Sequence, residues 1–469
     1  MSAATKTHQL IEVEWPAFGT AERPPAVAAS ELEGRLGALR ATMASERLTH
    51  VIVYGDREHF ANLSYLTNFD PRFEEALLVV AQDGKPLLLV GNECEGYLGV
   101  SPLHAAGKLR AERFQPFSLL NQPREASRKL RDIFASEGIG KGARAGCIGW
   151  KYFADSEHPD GVHAIDLPSY LADTLRDLAG REAVVNATAL MMHPGYGLRT
   201  TCSASEIAYF EYTSVLASEG MKHMLFGLRP GMTDSELAGL SGYTGEPLSC
   251  HMTLVTEANR NQGLSGPVGA HIPLGSPLAT NIAYWGSNVC RAGWVAGSSQ
   301  DLVPAARDYV AAFAGPYFEV MAQWFGLLRI GTHGGKLAAL IAQKLPFDRF
   351  GIFLNPGHLI HLDEWLSSPI YAGSDVPLRS GMAIQVDVIP SSPVYFSTRM
   401  EDGIVLADAA LRRSLQALNP ACFARCQKRR AFMIDVLGID LPEEVLPLSN
   451  VATIVAPFFL RPNQIFAVR

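Results

Sequence analysis

Apolar residues recur at helical spacing over residues 30–48, SELEGRLGALRATMASERL, where Ser30 with Glu33 has the form of a capping box, so the pattern predicts a helix there. The pattern then changes to short β-branched and leucine-rich runs, THVIVYG, EALLVVA and KPLLLVG, with RAGCIGW near residue 150 after a charged helical stretch over 122–137. Together these predict an α/β domain over residues 1–195. The segment 193–200, HPGYGLRT, carries Pro and Gly and reads as a linker, so a second domain is expected over 196–469. SASE at 203–206 caps a long helix reaching about Phe226, and Thr233 with Glu236 caps another after a Pro-Gly turn. Beyond residue 250 the chain reads as strands (HMTLVT and NIAYWGSNVCRAGWVA), two helices over about 302–327 and 334–345, and strands again in GHLIHLDEW, AIQVDVIP and RMEDGIVLA. The stretch from 411 to the end is apolar enough to pack, and the sequence assigns it no chemistry.

A length of 469 residues exceeds what one core usually sustains, about 250–300 residues, which agrees with two domains. The hydrophobic share of 48% against 19% charged excludes a disordered chain. The net charge of −7 gives no basic field for nucleic acid or anionic lipid, so a small-molecule partner is expected. No signal core or bilayer-length apolar run is present in the sequence, which points to a cytoplasmic protein without membrane attachment. The seven cysteines are scattered without CxxC spacing and read as free thiols.

The segment 281–291, NIAYWGSNVCR, leaves a choice between turn amides and a site wall. Four other stretches bear on it: LRTTCSASEIAYFEY, RPGMTDSEL, GHLIHLDEW followed by SGMAIQVDVIP, and RMEDGIVLAD. In order and spacing they resemble the creatinase, aminopeptidase P, prolidase and methionine aminopeptidase family, over roughly residues 196–410. That resemblance implies an α+β pita-bread catalytic domain behind a creatinase-like α/β domain. Metal-dependent members hold two divalent ions with two Asp, one His and two Glu. On the resemblance His358 matches the ligand His, Asp387 stands at a Glu position and Glu401 matches the last Glu, while Asn281 and Asn288 take the places of the two Asp and Arg291 follows as in Asp-x-x-Arg.

Two amides where two carboxylates belong leave two divalent ions undercompensated. The leading expectation is therefore a metal-free, creatinase-like hydrolase that cleaves a C–N bond in a small carboxylated amide, amidine or cyclic imine. Asp387 or Glu401 would act as base, and His358, or His251 from the neighbouring strand, as acid. The alternatives are a mononuclear metal hydrolase or lyase with His358, Asp387 and Glu401 holding manganese, iron or zinc, and a ligand-binding protein without chemistry. Asn281, Asn288, Arg291, His361 and Trp365 are expected to line the substrate pocket, Trp365 standing where peptidases carry a second His. Glu364 and Asp363 read as solvated loop charges, and Arg399 as a surface partner for an acid. In creatinase a Phe and an Arg of the partner subunit reach the substrate carboxylate. Phe69 and Arg72 resemble that pair, which implies a homodimer.

Overall fold

The computed structural model describes residues 6–469. By internal contacts the chain forms two compact units, Pro25–Thr200, and Thr201–Arg469 together with the segment up to Pro24. The sequence boundary at 195 lies close to this division, but the first strand differs from expectation. β1 (His8–Glu12) pairs antiparallel with the last strand, Gln464–Val468, so the N-terminal segment belongs with the C-terminal unit.

Residues 25–200 fold around one mixed sheet. β2 (His50–Gly55), β3 (Ala76–Ala81), β4 (Leu87–Val90), β5 (Arg110–Arg113), β6 (Ala145–Ile148) and β7 (Val184–Asn186) lie in the order β5-β4-β3-β2-β6-β7. Aliphatic side chains from β2, β3 and β4 meet Phe114, Phe117, Ile133, Phe134, Leu171 and Leu175 in the core. The helix of the first periodic segment runs Ala29–Ser45. Ser30 therefore lies inside it and no side chain caps it, while Glu33 pairs instead with Lys108 at 2.9 Å. The charged stretch before β6 is helical only over Leu130–Ser136.

The C-terminal unit is built on two four-stranded sheets. One contains β8 (Leu254–Val255), β9 (Pro277–Tyr284), β10 (Ser287–Trp294) and β13 (Arg399–Glu401), in the order β13-β10-β9-β8. The other contains β11 (His358–Leu359), β12 (Ala383–Gln385), β14 (Gly403–Leu406) and β15 (Val445–Pro447), in the order β11-β12-β14-β15, and β16 is the Gln464–Val468 strand. β13 and β14 are nearly continuous in the chain, so the segment 399–406 crosses from one sheet to the other. The long helix Ala204–Gly227 packs on β9 and β10, and both capping boxes read from the sequence form, Ser203 with Glu206 and Thr233 with Glu236. Its buried Glu211 is neutralised by Arg425 and Arg429, which reach it from the Pro420–Ala431 helix. The expected helix over 302–327 is interrupted: a π turn over Val310–Ala314 precedes the helix Gly315–Gly326.

The turn between β9 and β10 decides how 281–291 is used. Ser287 pairs with Tyr284, leaving only Trp285 and Gly286 in the loop. Gly286 has φ +79°, and a Cβ there would fall 1.9 Å from the Phe210 ring. Only glycine meets both constraints. The tight turn sets Asn281 opposite Cys290, and period-two alternation then puts Asn288, two residues before Cys290, on the same face as Asn281. Gly286→Ala is expected to lower unfolding stability by about 1–3 kcal/mol in urea titration, through positive φ and the Phe210 contact. An unchanged midpoint would contradict this account of the hairpin.

Candidate active site

The two sheets meet where Gln385 Nε2 donates to the Asn288 carbonyl at 3.0 Å. Register explains what converges there. His358 pairs with Gln385, and Asp387 lies two residues beyond on the same side, while Glu401 pairs with Cys290, two residues from Asn288. His358, Asp387 and Glu401 each offer one ligand atom to a group whose members lie within 4.8 Å of one another. All three are buried.

The fourth member is Glu364. After β11 the chain doubles back, with Leu359 and Ser367 bridged and Leu366 N–H donating to Leu359 O at 2.9 Å. This excursion returns Glu364 and Trp365 over His358: Glu364 Oε1 lies 3.5 Å from His358 Nε2, and the Trp365 and His358 rings stack at 4.0 Å. Glu364 is therefore not a solvated loop charge. The sequence signal was its place six residues after His358, beside an indole able to cover the imidazole.

The amides form a chain through this group. Thr253 N–H and Oγ1–H donate to Asn281 Oδ1 at 2.6 and 2.8 Å, and Asn281 Nδ2 donates to Asn288 Oδ1 at 3.3 Å. Asn288 Nδ2 then donates to Glu401 Oε1 at 2.7 Å and to Glu364 Oε1 at 3.2 Å. Each amide is oriented by its neighbour, since the reverse orientation would point a carbonyl oxygen at carboxylates. Cys250 closes the chain, its sulfur 3.4 Å from Asn281 Nδ2.

Burial dominates the proton affinities. It pushes Glu401 well above the usual carboxylate range, and Asp387 and Glu364 push it further, with Arg399 opposing. Asp387 is raised by burial against the opposing charges of His358 and Arg399. Glu364 is raised by burial and lowered in part by the Asn288 bond. Burial lowers His358, with Asp387 partly restoring it. The Cys250 thiol is pushed up to about 12, first by burial and then by Glu364, so it stays protonated near neutral pH. Arg399, expected at the surface, is half-buried and acts on Asp387 and Glu401, and its buried Nε has no hydrogen-bond partner.

Several expected residues lie elsewhere. Arg291 projects from the other face of β10 into a buried ion pair with Asp402 at 2.8 Å and donates to Ile454 O and Val451 O, so it braces the sheet and does not meet substrate. His361 bonds Glu206 at 2.9 Å and packs edge-on to Phe210, because three steps along an extended segment turn it away from His358. His251 is exposed with Nε2 3.2 Å from Leu264 O, outside the group. Phe69 is fully buried in the core of its own unit, which leaves it no surface to offer a partner subunit. Arg72 is half-exposed and stands over the Tyr97 ring.

The metal ligands implied by the resemblance can be tested on this geometry. A second ion would need the positions of Asn281 and Asn288, whose oxygens already accept hydrogen bonds and one of whose NH2 groups is directed at Glu401. That pair does not fit an ion. One ion does fit: His358 Nε2 and Asp387 Oδ1 are buried without hydrogen-bond partners, and Glu401 stands beside them. The carboxylates of Asp387 and Glu401 carry the two negative charges that balance one divalent cation, while Glu364 keeps its proton to higher pH.

No protein-family model matches the sequence, and no curated protein matches it. Solved structures do match in fold: a prolidase from Pyrococcus horikoshii with TM-score 0.61 at 13% identity, over 80% of this chain and 95% of that one, and the dipeptidase PepE from Mycobacterium ulcerans with 0.59 at 18%, over 82% and 95%. The aminopeptidase PepP from Pseudomonas aeruginosa matches with 0.55 at 16%, over 85% and 99%. No described helix is long and apolar enough to cross a membrane.

Asn288→Asp removes the donor to Glu401 and adds a carboxylate. In chelator it is expected to lower unfolding stability by about 1.5–3 kcal/mol, recovered on adding Mn2+. Equal stability in chelator would contradict the amide's role. At these identities the likeness is one of fold, and the chain has the two-domain pita-bread fold of the prolidases and aminopeptidase P.

Proposed function

We propose that the group around His358 hydrolyses a C–N bond in a small polar substrate, with one divalent ion held by His358, Asp387 and Glu401. The observation that carries this reading is the convergence of His358, Asp387 and Glu401, which offer one ligand atom each within 4.8 Å of one another, with His358 Nε2 and Asp387 Oδ1 buried and without hydrogen-bond partners. An ion held there by His358, Asp387 and Glu401 would supply Lewis-acid chemistry and a more acidic water. Manganese, iron and zinc all suit an imidazole with carboxylates.

The chain's own residues account for the remaining requirements. Glu364 is a quarter exposed and holds its proton to higher pH than an ordinary glutamic acid, so it is suited to deliver that proton to the leaving nitrogen. Asn288 fixes the orientation of Glu364 and Glu401 at once. Trp365, stacked on His358, sets a flat indole beside the group, which favours a flat amide, amidine or cyclic imine.

A second reading, metal-free acid–base hydrolysis of the creatinase kind, is favoured by one observation. Asp387, Glu401 and Glu364 all have raised proton affinity, so the group can neutralise itself by protonation. There whichever of Asp387 and Glu401 remains ionised would accept the water proton, and His358 would relay a proton from the protonated carboxyl groups to nitrogen.

Turnover of a panel of Xaa-Pro dipeptides, N-acyl amino acids and cyclic amidines separates the readings. Chelation should abolish activity and Mn2+ should restore it, whereas full activity after chelation would overturn the ion and leave the acid–base reading. Glu364→Gln should lower kcat by about 10²–10⁴-fold with KM little changed. Unchanged kcat would remove Glu364 from the mechanism.

A further inference from the structure

Among the described residues a second group of metal-ligating side chains converges away from the His358 group: Cys202, Glu206 and His361, each buried, with ligand atoms within 4.8 Å of one another. We propose that these three form a separate site for a thiophilic divalent cation of the zinc class. The donor set is one thiol, one imidazole and one carboxylate, a mixture that favours zinc or cobalt over magnesium or manganese.

Local structure holds the donors in place before any ion arrives. Glu206 is the third residue of the helix Ala204–Gly227, and its Oε2 accepts from Ser203 N–H at 2.9 Å, which folds the carboxylate back toward Cys202. The Cys202 backbone is fixed by its N–H on Gly381 O at 2.7 Å. His361 meets Glu206 Oε1 through Nε2 at 2.9 Å, and the Phe210 ring, edge-on at 5.2 Å between centroids, limits rotation of the imidazole. Neighbouring ligands of tetrahedral zinc stand roughly 3.5 Å apart, a distance that small side-chain rotations reach from the present arrangement. On binding, the Cys202 thiol loses its proton to solvent, the hydrogen bond between His361 Nε2 and Glu206 Oε1 breaks, and the imidazole coordinates through Nε2 as the neutral base with its remaining proton on Nδ1. Thiolate and carboxylate then balance the dication, leaving no uncompensated charge in the core.

The consequence is structural. His361 follows His358 by three residues, so an ion here would tie the segment carrying His358 to the start of the Ala204–Gly227 helix. Nothing in the proposed hydrolysis uses Cys202, Glu206 or His361.

Co2+ titration of the full-length protein tests the site directly, because thiolate-to-cobalt charge transfer gives a near-ultraviolet band that carboxylate and imidazole ligands do not. The wild type should develop the band, and Zn2+ should bleach it. Cys202→Ser should abolish it and His361→Asn should weaken Co2+ affinity more than about tenfold, while Cys250→Ser and Glu401→Gln should keep it. Far-ultraviolet circular dichroism establishes that each variant is folded. Absence of the band in the wild type overturns the proposal whatever the variants do, as does a band that persists in Cys202→Ser or disappears in Cys250→Ser.

Discussion

Three carboxyl groups gathered beside one imidazole, at the seam of two sheets and largely out of water, are the constraint around which the C-terminal unit is arranged. Charge there is costly unless it is met by protons, a cation or donors. Burial raises the proton affinity of all three, Asp387 and Glu364 raise that of Glu401 further, and the surrounding residues answer that: Asn288 donates to two of the three, Arg399 acts on the pair it can reach, and His358 stands within 3.8 Å of Asp387. The opposite face of β10 carries a separate compensation, Arg291 with Asp402, which holds the sheet without entering the site.

The hairpin makes this arrangement possible. Because Gly286 allows a two-residue turn under Phe210, the amides at 281 and 288 share a face and pass a hydrogen-bonded chain from Thr253 to Glu401. Carboxylates at those two positions would add negative charge to a group already rich in it. With amides, those two positions add no charge for a second ion, while His358, Asp387 and Glu401 still converge.

Much of this was legible in the sequence because it rests on local chemistry. Ser203 with Glu206 and Thr233 with Glu236 announce helix starts that form as read, and the apolar runs of the first domain become sheet strands. His358, Asp387 and Glu401, named through the resemblance, converge in the fold. Three kinds of residue escaped. Glu364 enters the site only because the chain doubles back after β11, a tertiary event that no periodicity records. Arg291 matched the motif but points to the far face, and that depends on register. Phe69, read as reaching a partner, is consumed by its own core. Side-chain direction decided each of these outcomes, and in strands direction follows pairing that is set by distant segments.

The central claim is that the Asn281–Asn288 pair limits the His358 group to a single ion. Electron paramagnetic resonance of the protein loaded with excess Mn2+, a poor partner for the thiol-containing Cys202 group, tests it most directly. The account predicts one bound Mn2+ per chain with a magnetically uncoupled spectrum, lost in Asp387→Asn. An exchange-coupled pair of ions, or no bound Mn2+ at all, would contradict it.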